Sequence, residues 1–124
     1  MKTQSILTAF GSILLLAVQS ASAGCYSSGD VWPNTESARQ FVQDACFNNG
    51  GMFTGNYAAG QTKSMCPKSG GKGLLFQVQN MGGGTADLDN QECYNRLTNE
   101  IFGCGRGGET VFGGWRYRAD PGNC

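Results

Sequence analysis

The sequence has no histidine among its 124 residues. Histidine is the side chain most often used for proton transfer near neutral pH, so histidine-based catalytic triads are excluded. The six cysteines include no CxxC pair, and without histidine the chain lacks the ligand pattern of a zinc site. We therefore predict a protein without a metal or an organic cofactor.

The sequence also has no excess of positively charged residues. Nine Lys and Arg residues are balanced by nine Asp and Glu residues, which gives a formal net charge of zero at pH 7. A neutral protein lacks the long-range attraction to phosphates on which non-specific nucleic-acid binding depends. RNA-binding segments repeat Arg-Gly-Gly, whereas this chain has the single copy Arg106-Gly107-Gly108. We predict a glycine turn there and no nucleic-acid partner.

Long apolar runs are scarce, and the clearest one lies in residues 1–23. Lys2 precedes an apolar stretch over residues 13–18, and Ala21-Ser22-Ala23 supplies the small residues that a signal peptidase accepts. The run is interrupted by polar residues and is shorter than the roughly 20 apolar residues that span a bilayer. The sequence predicts a cleaved signal peptide over 1–23, no membrane span, and one secreted, extracellular domain over 24–124.

All six cysteines lie after residue 23. An even number of cysteines in a small secreted chain predicts a disulfide framework, and each bridge stabilises the fold by roughly 2–4 kcal/mol. Cys46 and Cys93 both fall on the apolar stripes of predicted helices, so Cys46–Cys93 is the pairing we favour. The two remaining bridges that we expect are Cys25–Cys104 and Cys66–Cys124.

Two segments carry the apolar periodicity of an amphipathic helix. The first covers residues 34–49, where Asn34 or Thr35 can cap the start and Asn48-Asn49-Gly50-Gly51 can form the end. The second begins near Asp89, whose carboxylate can accept from an amide three residues later as part of a capping box. The apolar stripes consist of Ala38, Phe41, Val42, Ala45 and Cys46 in the first helix, and of Cys93, Leu97 and Ile101 in the second.

The charged side chains of the second helix have the spacing of surface ion pairs. Arg96 lies four residues from both Glu92 and Glu100. Such pairs are solvated and stabilise a helix by a few tenths of a kcal/mol each. We therefore expect Glu100 to be exposed.

The rest of the chain has the pattern of strands and turns. Side chains alternate over residues 74–79 and again over residues 115–119. Residues 61–66 form a weaker strand, a glycine turn over 70–73 joins it to the next one, and residues 51–60 fit a strand or a loop equally. The order helix, hairpin, helix, strand predicts an α+β fold with two helices packed on an antiparallel β-sheet.

The last strand carries the candidate binding residues. Rings beside charged groups suit a sugar, because pyranose C–H faces pack on rings and sugar hydroxyls bond to charged groups. Trp115 and Tyr117 share one face of the strand, and Arg116 and Arg118 share the other. We expect at least one ring to be buried, which leaves the arginines exposed for an anionic or hydroxyl-rich ligand. The candidate ligand-binding set is Arg106, Glu109, Trp115, Arg116, Tyr117 and Arg118.

The same stretch allows a catalytic alternative. Glu109 with Arg106, Arg116 and Tyr117 can group a carboxylate, two cations and a phenol. Such a group cleaves RNA without histidine when the carboxylate acts as a base and arginine stabilises the phosphate. The same residues equally form an ordinary surface ion-pair cluster, and no motif fixes their geometry. We predict no catalysis and keep weak ribonuclease activity as an alternative.

Four stretches resemble a known family. They are YSSGDVW over residues 26–32, GQTK over 60–63, NEIFGCGRGGET over 99–110 and GWRYRADP over 114–121. Together they resemble small secreted fungal proteins related to a glycan-binding protein from an edible mushroom. This resemblance implies an αβα-type sandwich stapled by disulfides, the option of a homodimer through sheet edges, and glycan binding.

A more distant likeness is to the smut-fungus killer toxin. It rests on the order helix, hairpin, helix, strand and on the segment from Cys93 to Cys104. The cysteine scheme of the toxin, carried to matching positions, gives the same three bridges. We therefore predict a secreted, non-catalytic fungal protein that binds glycans or cell-surface glycoconjugates. The alternative is a killer-toxin-like or effector protein that acts on a competitor or host cell.

Overall fold

A computed structural model describes residues 24–48 and 51–124. The predicted signal peptide over 1–23, and Asn49 and Gly50 of the predicted helix end, lie outside the described residues. In chain order the elements are β1 (Gly24–Cys25), α1 (Thr35–Phe47), β2 (Gly55–Tyr57), β3 (Thr62–Met65), β4 (Lys68–Ser69), β5 (Lys72–Asn80), β6 (Ala86–Leu88), α2 (Asn90–Phe102), β7 (Gly108–Phe112) and β8 (Trp115–Pro121).

Both helices begin at the predicted caps. The Asn34 side chain accepts from the Ser37 amide at 2.9 Å, so Asn34 rather than Thr35 caps α1. The Asp89 carboxylate accepts from the Glu92 amide at 3.0 Å at the start of α2. Each cap satisfies an amide that has no partner inside its helix. The two predicted helices are therefore present, with the first ending two residues earlier than predicted.

The main sheet is antiparallel and has the strand order β1-β7-β8-β5-β3, with β4 also paired to β5. Its longest ladder joins β5 to β8, from Leu74 opposite Pro121 to Asn80 opposite Trp115. The turn between β7 and β8 is the pair Gly113-Gly114, both with positive φ, which fits the twist of a two-residue hairpin. A separate two-stranded sheet joins β2 to β6.

One face of the main sheet carries the core. Leu74, Phe76 and Val78 from β5 are buried there beside Tyr117 and Ala119 from β8. These residues form one cluster with the buried stripes of both helices, so the two helices lie on the same face of the sheet. The predicted α+β class is confirmed. The described residues form one layer of helices and one layer of strands in place of the αβα-type sandwich that the resemblance implies, because both helices pack on the same apolar face of the sheet.

All three predicted disulfides are present. Cys46–Cys93 joins α1 to α2 inside the core, as the two apolar stripes predict. The other two tie residues at or near the two ends of the described domain to distant parts of the fold, since Cys25–Cys104 spans 79 residues and Cys66–Cys124 spans 58. Within residues 24–48 and 51–124, no helix is long and apolar enough to cross a membrane.

Gly107 forms the turn that connects α2 to β7. Its φ is +78°, its amide donates to the Cys104 carbonyl at 2.9 Å, and its carbonyl accepts from the Tyr26 amide at 2.8 Å. A Cβ at this position would lie 2.2 Å from the Ala119 carbonyl oxygen, inside the β-ladder. Both the backbone angle and the close approach therefore require glycine.

We expect Gly107→Ala to destabilise the protein more than Gly113→Ala does. Gly113 also has positive φ, but a Cβ there meets no atom within 4 Å. Gly113→Ala should cost about 1–2 kcal/mol for the left-handed backbone. Gly107→Ala should cost about 1–3 kcal/mol more because the methyl group overpacks the sheet. Urea denaturation of the oxidised variants measures both losses, and equal losses would contradict this assignment.

Candidate functional site

The face of the main sheet opposite the helices is mostly polar. We call it the open face. Residues directly opposite in neighbouring strands share a face, and the pairing places two rows of side chains side by side on this one. The first row is Ser64, Gln77, Arg118 and Glu109, and the second is Thr62, Gln79, Arg116 and Val111.

A carboxylate–guanidinium pair lies at one side of the open face. Arg116 donates to both carboxylate oxygens of Glu109, from Nε at 2.7 Å and from Nη2 at 3.3 Å. The Tyr26 hydroxyl donates to the same carboxylate at 3.4 Å. The hydrogen bond from Arg116 lowers the pKa of Glu109, against a smaller opposing effect of burial. Glu109 is therefore a firmly ionised hydrogen-bond acceptor.

A second network surrounds Arg118. Its Nη2 donates to Asp120 at 2.8 Å, and its Nη1 donates to the Gln77 side chain at 3.3 Å. Gln77 in turn donates to the Ser64 hydroxyl at 3.1 Å, so the chain of bonds crosses three strands. The bond to Asp120 raises the pKa of Arg118. These bonds hold polar side chains of β3, β5 and β8 in fixed positions on the open face.

A polar cleft opens beside Asp120, at the end of the open face. Its volume is about 440 Å³, and two segments form it, residues 26–30 and residues 120–123. Hydroxyls, carboxylates and an amide line it together: Tyr26, Ser27, Ser28, Asp30, Asp120 and Asn123.

Disulfides and close backbone contacts position the walls of the cleft. Tyr26 directly follows Cys25, which is bonded to Cys104, and Asn123 directly precedes Cys124, which is bonded to Cys66. The walls also approach each other closely, because a Cβ on Gly122 would lie 1.9 Å from the Asp30 carboxylate. Glycine at position 122 therefore allows Asp30 and Asp120 to face the same space.

The structure separates the six predicted ligand-binding residues. Glu109, Arg116 and Arg118 lie together on the open face. Arg106 is exposed in the turn after α2, where it donates to the Gly29 carbonyl at the edge of the cleft. The remaining two, Trp115 and Tyr117, point towards the helices.

Tyr117 requires a correction, because its side chain is completely buried and does not reach a surface ligand. Trp115 is partly buried and packs edge-on against Tyr57, with ring centroids 4.8 Å apart. The cause is the alternation of β8, whose aromatic positions face the apolar stripes of the helices. The prediction that at least one ring is buried is confirmed.

Tyr26, Asp30, Asp120 and Asn123 were not among the predicted site residues. They come from the two ends of the domain, and no local spacing relates one end to the other. One feature of the sequence points to these residues, namely their position beside Cys25 and Cys124. The predicted bridges of these two cysteines hold both segments against the rest of the fold.

The prediction that Glu100 is exposed is wrong. Glu100 is 4% exposed and accepts a hydrogen bond from Thr110 in β7. It follows buried Leu97 by three residues and therefore shares the inward side of α2. Gly108 leaves room for it, because a Cβ there would lie 2.7 Å from the Glu100 carboxylate. Burial raises the pKa of Glu100, and the bond from Thr110 offsets part of that effect.

Arg96 pairs with one of its two predicted partners. Its Nε donates to Glu92 at 2.7 Å, and its guanidinium lies 3.6 Å from the centre of the Phe112 ring. The stacking on Phe112 draws Arg96 towards the tip of the β7–β8 hairpin and away from Glu100.

The chemistry available at the open face and the cleft is hydrogen bonding. Within the described residues, no group of three or more Cys, Asp or Glu side chains is placed to hold a metal ion. Carboxylates and hydroxyls accept hydrogen bonds, whereas guanidinium groups, amides and hydroxyls donate them. Both kinds of group occur within the same small area, as a polyhydroxylated ligand requires.

Comparison of the chain with models of known protein families and with curated proteins finds no match. The resemblance to the mushroom glycan-binding family and the likeness to the killer toxin stay predictions.

We expect Glu100→Gln and Glu109→Gln to have opposite pH dependence of stability. The folded-state pKa of Glu100 is raised above its ordinary value of 4.5, so its ionisation opposes folding as pH rises through and above 4.5. The stability of Glu100→Gln relative to the wild type should therefore increase as the pH rises from 4 to 7. Thermal unfolding at a series of pH values measures the difference.

Glu109 serves as the matched comparison. Its folded-state pKa is lowered, so its contribution to stability is present above pH 4.5 and is lost as pH falls through the folded value. Glu109→Gln should be less stable than the wild type at pH 7 and approach it at low pH. Parallel pH curves for the two variants would contradict both assignments.

Proposed function

We propose that this chain is a secreted, non-catalytic glycan-binding protein. The observation that carries the proposal is the polar cleft of about 440 Å³ beside the hydrogen-bonded open face. Sites for small molecules measure about 300–1,000 Å³, so one or two sugar units fit this volume. Most such sites are lined by apolar groups, whereas this one is lined mainly by hydroxyls, carboxylates and an amide. The lining therefore favours a hydroxyl-rich ligand over an apolar one.

The arrangement of groups also suits a sugar. Every sugar hydroxyl both donates and accepts a hydrogen bond, and the cleft offers acceptors at Asp30 and Asp120 and a donor at Asn123. Tyr26 adds a ring at the cleft wall, against which the C–H face of a pyranose can pack. The network around Gln77 and Arg118 extends this surface across the sheet for further sugar units.

The proposed function also includes secretion and the partners that the protein would meet. Three disulfides are typical of proteins that fold in an oxidising compartment. Glycans or cell-surface glycoconjugates are the partners that such a protein meets outside the cell. In the described part of the main sheet, β3 is a terminal strand, which is the type of edge through which the predicted homodimer would form.

The geometry supports binding more than ribonuclease activity. A catalytic base has to take up a proton near the working pH, and Glu109 is held ionised by Arg116. Arg116 is also occupied, because its guanidinium is bonded to Glu109 and not to a phosphate that it would have to stabilise. The predicted phenol partner, Tyr117, is buried on the other side of the sheet.

We expect the oxidised domain to bind glycans on an array and Gln77→Ala to weaken that binding. Loss of one hydrogen bond to the ligand corresponds to about a three- to tenfold weaker affinity. The control is Gln40→Ala, the same substitution at an exposed position of α1. This helix lies on the side of the sheet opposite the open face. Absence of binding to any glycan would refute the proposed function.

We further expect the purified protein to leave RNA intact and Glu109→Gln to make no difference. The reason is the low pKa and the bound state of Glu109. A fluorogenic RNA substrate provides the measurement. Cleavage that Glu109→Gln abolishes would make the protein a ribonuclease and overturn the non-catalytic assignment.

A further inference from the structure

Three segments meet at the end of the main sheet that is opposite to the cleft. They are residues 58–61, 81–85 and 111–114, and we call them together the charge-free end. The segment after β5 is joined to the β7–β8 turn, because the Met81 amide donates to the Gly114 carbonyl at 2.9 Å. None of the three segments contains Asp, Glu, Lys or Arg. The cleft end of the sheet, in contrast, carries two carboxylates.

Three large apolar side chains are exposed at the charge-free end. Met81 is 50% exposed, Val111 is 46% exposed and Phe112 is 40% exposed. The turn beside them consists of Gly113 and Gly114, and a Cβ on either glycine would meet no atom within 4 Å. Apolar side chains that are exposed together mark contacts with a protein or a membrane. We therefore expect a contact surface at this end of the sheet.

Buried polar side chains satisfy several backbone groups of the charge-free end. Asn80 is only 3% exposed, and its Nδ2 donates to the Gly84 carbonyl at 2.8 Å and to the Ala58 carbonyl at 3.2 Å. Its Oδ1 accepts from the Gly82 amide at 2.9 Å. The Gln61 side chain accepts from the Ala58 amide at 2.8 Å. Backbone groups in contact with lipid have to be bonded within the protein, so this arrangement suits a lipid surface.

The charges that border the charge-free end are balanced. Arg96 stacks on the Phe112 ring and is itself bonded to Glu92. Two cations and two anions lie within two residues of the three segments along the chain, and they are Lys63, Arg116, Asp87 and Glu109. Equal numbers of cations and anions provide no net attraction to anionic lipids. A zwitterionic lipid surface therefore matches this end and its border.

A second copy of the chain suits the charge-free end less well than a membrane does. A stable interface between two proteins involves about 20–30 residues on each side, whereas the charge-free end has thirteen residues. Binding to a bilayer surface scales with the apolar area that enters it, so a few side chains provide weak, reversible contact. We propose that Met81, Val111 and Phe112 insert shallowly into the surface of a zwitterionic lipid bilayer. The cleft, at the other end of the sheet, remains open to a ligand.

The oxidised, isotopically labelled protein tests this contact without any substitution. The probe is a phosphatidylcholine bicelle that carries a small share of spin-labelled lipid. We expect the label to weaken the amide signals of residues 81–85 and 111–114 and to leave those of residues 26–30 and 120–123 unchanged. Uniform weakening, or none, would overturn the proposal. Binding that appears only after phosphatidylserine is added would assign the contact to charge and would overturn it as well.

A matched pair of phenylalanine variants provides the second readout. Phe112→Ser should reduce cosedimentation with phosphatidylcholine vesicles by about fivefold or more, because it removes one of the inserted side chains. Phe102→Ser removes the same kind of side chain from the end of α2, where it is 59% exposed, and should leave cosedimentation unchanged. Equal behaviour of the two variants would contradict the proposal.

Met81→Ser repeats the test at a second position, and thermal unfolding checks that each variant is folded. It should weaken vesicle binding in the same direction as Phe112→Ser. Self-association that both substitutions abolish, without binding of the wild type to vesicles, would assign the charge-free end to a second copy and overturn the membrane contact.

Discussion

The β5–β8 ladder is the constraint on which the rest of the structure depends. Successive side chains of a strand point to opposite faces, so β8 gives Tyr117 and Ala119 to the core while Arg116 and Arg118 face away from it. A shift of one residue in this pairing would bury the arginines and expose the aromatic ring. The Gly113-Gly114 turn fixes the register on the other side of β8, because a two-residue hairpin sets which residues of β7 and β8 are opposite. The core and the candidate site therefore lie on opposite faces of the same pair of strands.

Local patterns were sufficient to predict the helices, the longest strands and the disulfides, because caps and apolar periodicity depend on neighbouring residues. The stripes that contain Cys46 and Cys93 predicted a bridge between helices. The patterns did not predict the burial of Glu100, since this depends on the small residue that β7 places opposite α2. They indicated a buried ring in β8 but did not reveal the cleft, which is assembled from the two ends of the domain.

Charged residues in this protein serve mainly to orient one another. Arg116 and Arg118 indicated an anion-binding surface when considered alone, but each is bonded to a carboxylate on the same face. Paired charges contribute little net field at a distance, yet they hold the remaining donors and acceptors in fixed directions. Under the proposed function, a surface of this kind would distinguish ligands by the geometry of their hydroxyl groups, and the pairing would matter more than the number of charges.

The positions of Cys25 and Cys124 link the cleft to the redox state of its surroundings. The bridge in the core joins the helices, whereas the other two hold the segments that form the walls of the cleft. With those two bridges reduced, Tyr26 and Asn123 lose their covalent anchors to the rest of the fold. We therefore expect the cleft walls to be less well fixed in a chain that has not yet been oxidised. Under the proposed function, recognition would be acquired only after these two bridges have formed.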